Sequence, residues 1–445
     1  MSNIESKLGE LGIAVPGLLL PRETSLGQWA TVACDQFTQD REYWEKAGKA
    51  AGDGASTLRV ILPEVYLEDG DRAGRIRDIH VAMGNYLCDD VLGEPRKGFV
   101  YLERDTPFNE RRRGLVVAVD LEWYSWSRDA RPLIRPTEGT VAERLPPRME
   151  VRRKAPLETS HIIMLIDDDA DALLPGLGER AKKAPPVYSG DLMLNSGKVS
   201  GWFLDREDDW ECLADGLAEL SARALTRYPS GAPGEQPFLF AVGDGNHSLA
   251  SAKEVWEEYK AQFAETGELP VHPCRYAIVE IESIYDPAIK FEPIHRVVFG
   301  LDFDRALTLL SGLPGFSGRE VANREELVRL VAEPVKGNRF GLASGNRCAL
   351  VETSTGGIST ASLQPLLDRA LDASSIDYIH GEDELFRLAL ASEKPAVGIL
   401  LPPVQKDGFF ETVARTGPLP RKSFSMGEAC EKRFYIECRR LFDSE

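Results

Sequence analysis

The stretch Phe238–Tyr259, FLFAVGDGNHSLASAKEVWEEY, constrains the fold of this chain more than any other. Phe238–Val242 is a short apolar run with strand character. Gly243-Asp244-Gly245-Asn246-His247 breaks that run with two glycines and a polar turn. From Ser248 to Phe263, Leu249, Ala252, Trp256, Tyr259 and Phe263 recur at helical spacing and mark one apolar face. A strand that ends on glycines and enters a helix turns free backbone N–H groups, and the positive end of the helix dipole, toward any bound anion. The turn also carries a carboxyl and an imidazole. Residue types alone leave two readings open: an anion-binding corner, or a plain strand–turn–helix in which Asp244 and Asn246 only shape the turn. The dinucleotide fingerprint is incomplete, because Ser248 stands where a third glycine belongs and no acidic residue closes a following strand.

The chain has 445 residues, long enough for two or three domains. Strands and helices alternate, so the expected class is α/β with mixed sheets. The expected division is a main domain over 1–300 and a second α/β lobe over 301–445, whose tail returns to the site. Net charge is −18, which repels nucleic acid and anionic membranes and counts against DNA as a partner. No apolar run is long enough to span a bilayer, and the first residues lack the charged and apolar regions of a signal peptide. The seven cysteines form no C-x-x-C pair, which points to reduced thiols, a cytoplasmic setting and no structural zinc site. Oligomeric state is not legible.

Three further segments carry chemistry-bearing residues. Trp29–Thr38, WATVACDQFT, reads as a strand running into a polar elbow. It places Asp35 where a strand gives way to a loop, a favoured position for a catalytic carboxylate and equally for a capping aspartate. In Ile134–Thr140, IRPTEGT, Arg135 and Glu138 form either a phosphate clamp with a proton acceptor or an exposed ion pair. Asp167, Asp168, Asp169 and Asp171 precede a helix; their spacing does not fit a calcium loop, and capping that helix is the better reading. No residue set is picked out as metal-ligating. The basic cluster Arg111-Arg112-Arg113, with Arg148, Arg152, Arg153 and Lys154, is either a solvated face or a positive rim around an anionic substrate.

Several motifs resemble one family in the same order along the chain. The central turn resembles the D-G-H-H-R-x-x-A signature of domain-of-unknown-function family ten-fifteen, whose members are sometimes labelled ParB-like. Asp244, Gly245 and His247 match it, whereas Asn246 replaces the first histidine and Ser248 the arginine. Asp286, Pro287, Pro293, His295 and Arg296 resemble its D-P…P-T-H-R segment, with His295 and Arg296 expected at a strand start. Pro420, Lys422 and Ser423 resemble its C-terminal P-x-K-S segment. The C-D-Q-F-T elbow around Asp35 is similar to a branch of the same family.

The resemblance implies a ParB/sulfiredoxin-like core built from distant segments. That superfamily includes nucleotide-handling members, among them an ADP-dependent free-serine kinase. The implied activity is nucleotide-dependent phosphoryl transfer to a small molecule such as an amino acid or hydroxy acid, with ATP, ADP or another nucleotide and Mg²⁺. Gly243, Gly245, Asn246 and Ser248 would cradle phosphate. Arg135, His295, Arg296, Lys422 and Ser423 would complete the nucleotide site. Asp244, His247, Asp35 and Glu138 are the catalytic candidates, as base, proton carrier or Mg²⁺ ligand. The alternative is a nucleotide-binding ParB-like adaptor, or a ligand-binding protein without turnover.

Overall fold

The computed structural model describes residues 2–229, 236–263, 271–391 and 395–442. The connector expected over 229–237 lies mostly outside the described residues. The architecture is mixed α/β, and the chain divides into two compact units, Met1–Ile289 with Glu428–Glu445, and Lys290–Gly427.

The first unit is built on a nine-stranded mixed sheet. Its central strands are Arg112–Asp120, Tyr276–Ser283, Ile163–Ile166 and Phe240–Asp244, in that spatial order, with Ile134–Pro136 at the edge. Val116, Val117, Ile278, Val279, Met164, Leu165, Ala241 and Val242 are all buried, as expected for strands covered on both faces. The anticipated strand–turn–helix is present: Phe240–Asp244 runs through Gly245 into the helix Asn246–Ala261. That helix buries Leu249, Ala252 and Trp256, the face that its spacing marks out. Phe240–Asp244 lies parallel to Ile134–Pro136 and antiparallel to Ile163–Ile166. The loop after Pro136, the turn after Val242 and the residues before Ile163 therefore emerge at the same end of the sheet.

Two short C-terminal strands belong to this unit. Phe434–Tyr435 pairs with Thr31–Val32, and Cys438–Arg440 pairs with Leu157–Thr159. The aspartate run caps a helix, as its position suggests. Asp168 Oδ2 accepts the N–H groups of Ala172 and Leu173 at 2.9 and 2.8 Å, while Asp167 and Asp169 pair with Arg227 and Arg223.

The basic cluster is in larger part neither a solvated face nor a rim, although Arg111 and Lys154 stay exposed. Arg112 is buried against Glu282, Arg113 binds Asp286 and Asp171, Arg148 binds Glu64 and Arg152 binds Glu158. These cations face acidic side chains inside the unit, which sequence spacing does not reveal.

The second unit carries a seven-stranded sheet in the order Ser317–Val321, Arg347–Thr353, Asn338–Ser344, Ala396–Leu400, Phe291–Phe299, Ile376–His380, with Phe424–Met426 on the far end of Phe291–Phe299. A hairpin through Gly345 joins Asn338–Ser344 to Arg347–Thr353, and the helix Glu382–Ala391 follows later in the unit.

Candidate functional site

The site in the first unit begins with one glycine. Gly245 adopts a φ of +76°, in the left-handed region open to glycine at little cost. A Cβ there would lie 3.0 Å from Ile162 Cγ1 and 3.4 Å from His161 Nε2, so a side chain would also crowd the neighbouring segment. Gly245 is the N-cap of the long helix and supplies no side-chain cap. Asp244 Oδ1 instead accepts the Gly245 N–H at 3.0 Å, and its Oδ2 sits 3.6 Å from the Lys432 amine.

His161 faces this corner. Its Nε2 lies 3.4 Å from Asp35 Oδ2 and 3.3 Å from Ser248 Oγ. Its Nδ1 lies 2.6 Å from the Tyr435 hydroxyl, which in turn accepts the Cys34 N–H at 3.3 Å. The C-terminal strand makes this arrangement possible, because pairing Tyr435 with Thr31 sets its ring beside the Asp35 elbow. Burial pushes the Asp35 carboxyl up, but the charge and hydrogen bond of His161 outweigh it and hold the group well below the usual carboxylate range. Burial pushes the Cys34 thiol up to about 12, so it stays a neutral wall group. The result is an ionised carboxylate, a partnered imidazole and an ammonium beside an uncapped helix start. Such a set can take a proton from a hydroxyl and neutralise an anion.

The remaining anticipated residues are placed as follows. His247 accepts the Val141 N–H at Nε2, 3.3 Å away, and so joins the central turn to the loop after Pro136. Thr137 in that loop donates to the Val242 carbonyl at 2.6 Å, and Glu138 follows it, partly buried. Asn246 donates to the Val242 carbonyl at 3.4 Å. Arg135 turns inward: its guanidinium donates to the Pro132 and Gln236 carbonyls and lies over the Phe238 ring.

His295, Arg296, Lys422 and Ser423 belong to the second unit. His295 and Arg296 stand inside the strand Phe291–Phe299 rather than at its start. Arg296 is fully buried, donates to Gln364 and the Ile294 carbonyl, and covers the Tyr378 ring. His295 Nδ1 accepts the Leu401 N–H at 3.1 Å; burial, with the Arg296 charge, pushes its pKa down to about 4. Lys422 is exposed in a turn at φ +59°, while Ser423 is buried and bonded to Thr360 and the Pro420 carbonyl.

Sequence reading missed His161, Tyr435 and Lys432. The signal for His161 was present, since a polar Ser160-His161 pair opens an otherwise apolar strand segment. Tyr435 and Lys432 gave none, because only the pairing of strands some four hundred residues apart brings them here. Among the described residues no group of three or more His, Cys, Asp and Glu side chains is placed to hold a metal ion.

An α/β unit with a glycine corner, a half-buried carboxylate against a buried histidine, and a C-terminal strand that brings a tyrosine to that histidine defines the class. The chain matches the family Protein of unknown function (DUF1015) over residues 14–374, and it belongs to that family. No curated protein matches it. Among solved structures it is similar to free serine kinase in complex with AMP, at 13% identity and a TM-score of 0.36, over 72% of this chain and 90% of that one. It is also similar to a conserved hypothetical protein from Pyrococcus furiosus, at 13% identity and TM-score 0.33, over 74% and 93%. A third is SbnI with C-terminal truncation from Staphylococcus aureus, at 9% identity and TM-score 0.34, over 74% and 84%.

Proposed function

We propose that the first unit catalyses phosphoryl transfer from a nucleotide to the hydroxyl of a small molecule. The observation that carries this reading is the Asp35–His161 pair set against the start of the helix Asn246–Ala261. Phosphoryl transfer needs little covalent chemistry from the protein; it needs a base, charge neutralisation and alignment. Asp35 is the base toward the acceptor hydroxyl. His161, held from behind by Tyr435, balances its charge and keeps it ionised. The N–H groups at the helix start receive phosphate oxygens, and Lys432 neutralises charge beside Asp244. The nucleotide carries any Mg²⁺ on its own phosphates.

The test is incubation with ATP or ADP, Mg²⁺ and a panel of hydroxy acids, amino acids and alcohols, with phosphorylated products read by phosphorus NMR. A new phosphomonoester signal that Lys432→Ala weakens is the expected result. Nucleotide binding without product from any pairing would end the enzymatic reading.

A further inference from the structure

A cavity of about 130 Å³ opens beside His161, Ser248 and Tyr435 in the first unit. Its walls are mainly aliphatic, with Ile61, Leu62, Met83, Leu157, Ile162 and Leu441 all buried around it. Ser160, His161, Ser248 and Tyr435 add hydrogen-bonding groups to the lining. Each charged side chain in the lining already has a counter-ion. Arg148 is held by Glu64, Arg152 by Glu158, and His161 by Asp35.

Those facts select a ligand by chemistry. A zwitterionic amino acid placed here would have to compete with these ion pairs for a counter-charge, and burying its ionic groups poorly paired is costly. An apolar body faces no such cost, since burying it returns roughly 25 cal/mol per Å² removed from water. A dry cavity of about 150 Å³ lined by aliphatic and aromatic side chains is known to hold benzene, so this one suits a ring or a branched chain of about five or six carbons. A hydroxyl on that body would find partners at His161, Ser248 and Tyr435, with Asp35 3.4 Å from His161 Nε2.

We propose that this cavity is the acceptor pocket, and that the acceptor is a small neutral alcohol with a compact branched or aromatic body. The proposal rests on the phosphoryl-transfer reading for the word acceptor, and on the cavity alone for the ligand class. In the transfer the acceptor oxygen bonds to phosphorus, the bond from phosphorus to the nucleotide's bridging oxygen breaks, and the hydroxyl proton passes to Asp35.

Binding is measured by calorimetry on the full chain without nucleotide, using benzyl alcohol, 3-methylbutan-1-ol, serine and lactate as probes. Saturable binding of the two alcohols, with serine and lactate at least tenfold weaker, is expected. Ala155→Leu, which puts bulk into the lining, should weaken alcohol binding at least tenfold. Should that variant fail to fold, Met83→Ala serves instead and should shift preference toward a larger alcohol such as 2-phenylethanol. Serine or lactate binding more tightly than the alcohols overturns the inference. So does alcohol binding that neither Ala155→Leu nor Met83→Ala alters. Alcohols that bind as expected but are never phosphorylated leave the ligand class standing and remove the phosphoryl-transfer reading. Serine phosphorylated without alcohol binding does the reverse.

Discussion

At the scale of single residues, Asp35 and His295 show how burial and a neighbour decide the fate of a titratable group. Asp35 is half-buried yet ionised because His161 answers its charge. Asp35→Asn keeps the shape but cannot accept a proton, so turnover should fall by about 10²–10⁴ while nucleotide binding persists. A parallel loss of nucleotide-induced thermal stabilisation would instead make Asp35 a structural partner of His161. His295 has no carboxylate answering its charge, and burial holds it neutral with its pKa near 4, against an ordinary value of about 6.5. Between those values the unfolded chain binds a proton that the folded one refuses, so stability falls as pH drops through that window. The shift corresponds to a loss of about 3 kcal/mol by pH 4. His295→Gln keeps an acceptor for the Leu401 N–H and does not titrate. The opening free energy read from hydrogen exchange in the second unit, corrected for the intrinsic exchange rate, should thus fall between pH 7 and pH 5 in the wild type and much less in the variant. Equal pH dependence in both would remove His295 as the cause.

At the scale of elements, the strand Arg112–Asp120 shows what a pattern cannot say. Gly114 looks like an interruption in a β run, yet a Cβ there would stand 2.1 Å from Glu280 Oε1 and 2.8 Å from its Cγ. The glycine makes room for a buried carboxylate on the next strand. Glu280 is bound by Arg433, and its neighbour Glu282 faces Arg112. Burial pushes Glu282 up, and although Arg112 opposes this, the adjacent Glu280 charge leaves it at about 8. Gly114→Ala crowds Glu280 and should shift it against Arg433; a full break of that buried pair costs about 3–5 kcal/mol. A thermal midpoint within a degree of the wild type would show that the strand yields without disturbing the pair. Glu282 folds protonated and unfolds ionised near neutrality, so stability should fall as pH rises from about 4.5 toward 8. Glu282→Gln should flatten that alkaline slope, as read by denaturant midpoints across the range. The strands, the glycine corner and most helices were legible because period and glycine punctuation are local. The Asp35 elbow was legible as a strand end. The partners of Arg112, Arg113 and Arg148 were not, because a run of cations reads alike whether it faces water or a buried carboxylate. His161 and Tyr435 meet only through pairing between the chain's ends.

At the scale of the whole molecule, the order of the chain differs from the order of its parts. Lys290–Gly427 forms a unit of its own, and residues 428–442 then complete the first unit. That last stretch supplies Lys432 to Asp244, Arg433 to Glu280 and Glu437, Tyr435 to His161, and Arg439 to Glu158. Glu158 and Glu280 lie within strands and are buried. Without Arg433, Glu280 loses its direct partner in a low-dielectric interior at a cost of several kcal/mol, while Glu158 loses one of two arginines and keeps Arg152. Native stability is only about 5–15 kcal/mol in all, so these losses together weigh heavily on the unit. A chain ending at Gly427 should therefore lose amide protection in Tyr276–Ser283 and Ile163–Ile166. The sheet strands of the second unit lie between Phe291 and Met426, so they should keep theirs. Supplying residues 428–445 as a separate peptide should restore protection of the first unit in a saturable way, with Arg433→Ala in the peptide abolishing the effect. Full protection of Tyr276–Ser283 in the truncated chain would mean that Glu280 finds another counter-charge, and the tail would then serve the site alone rather than the fold.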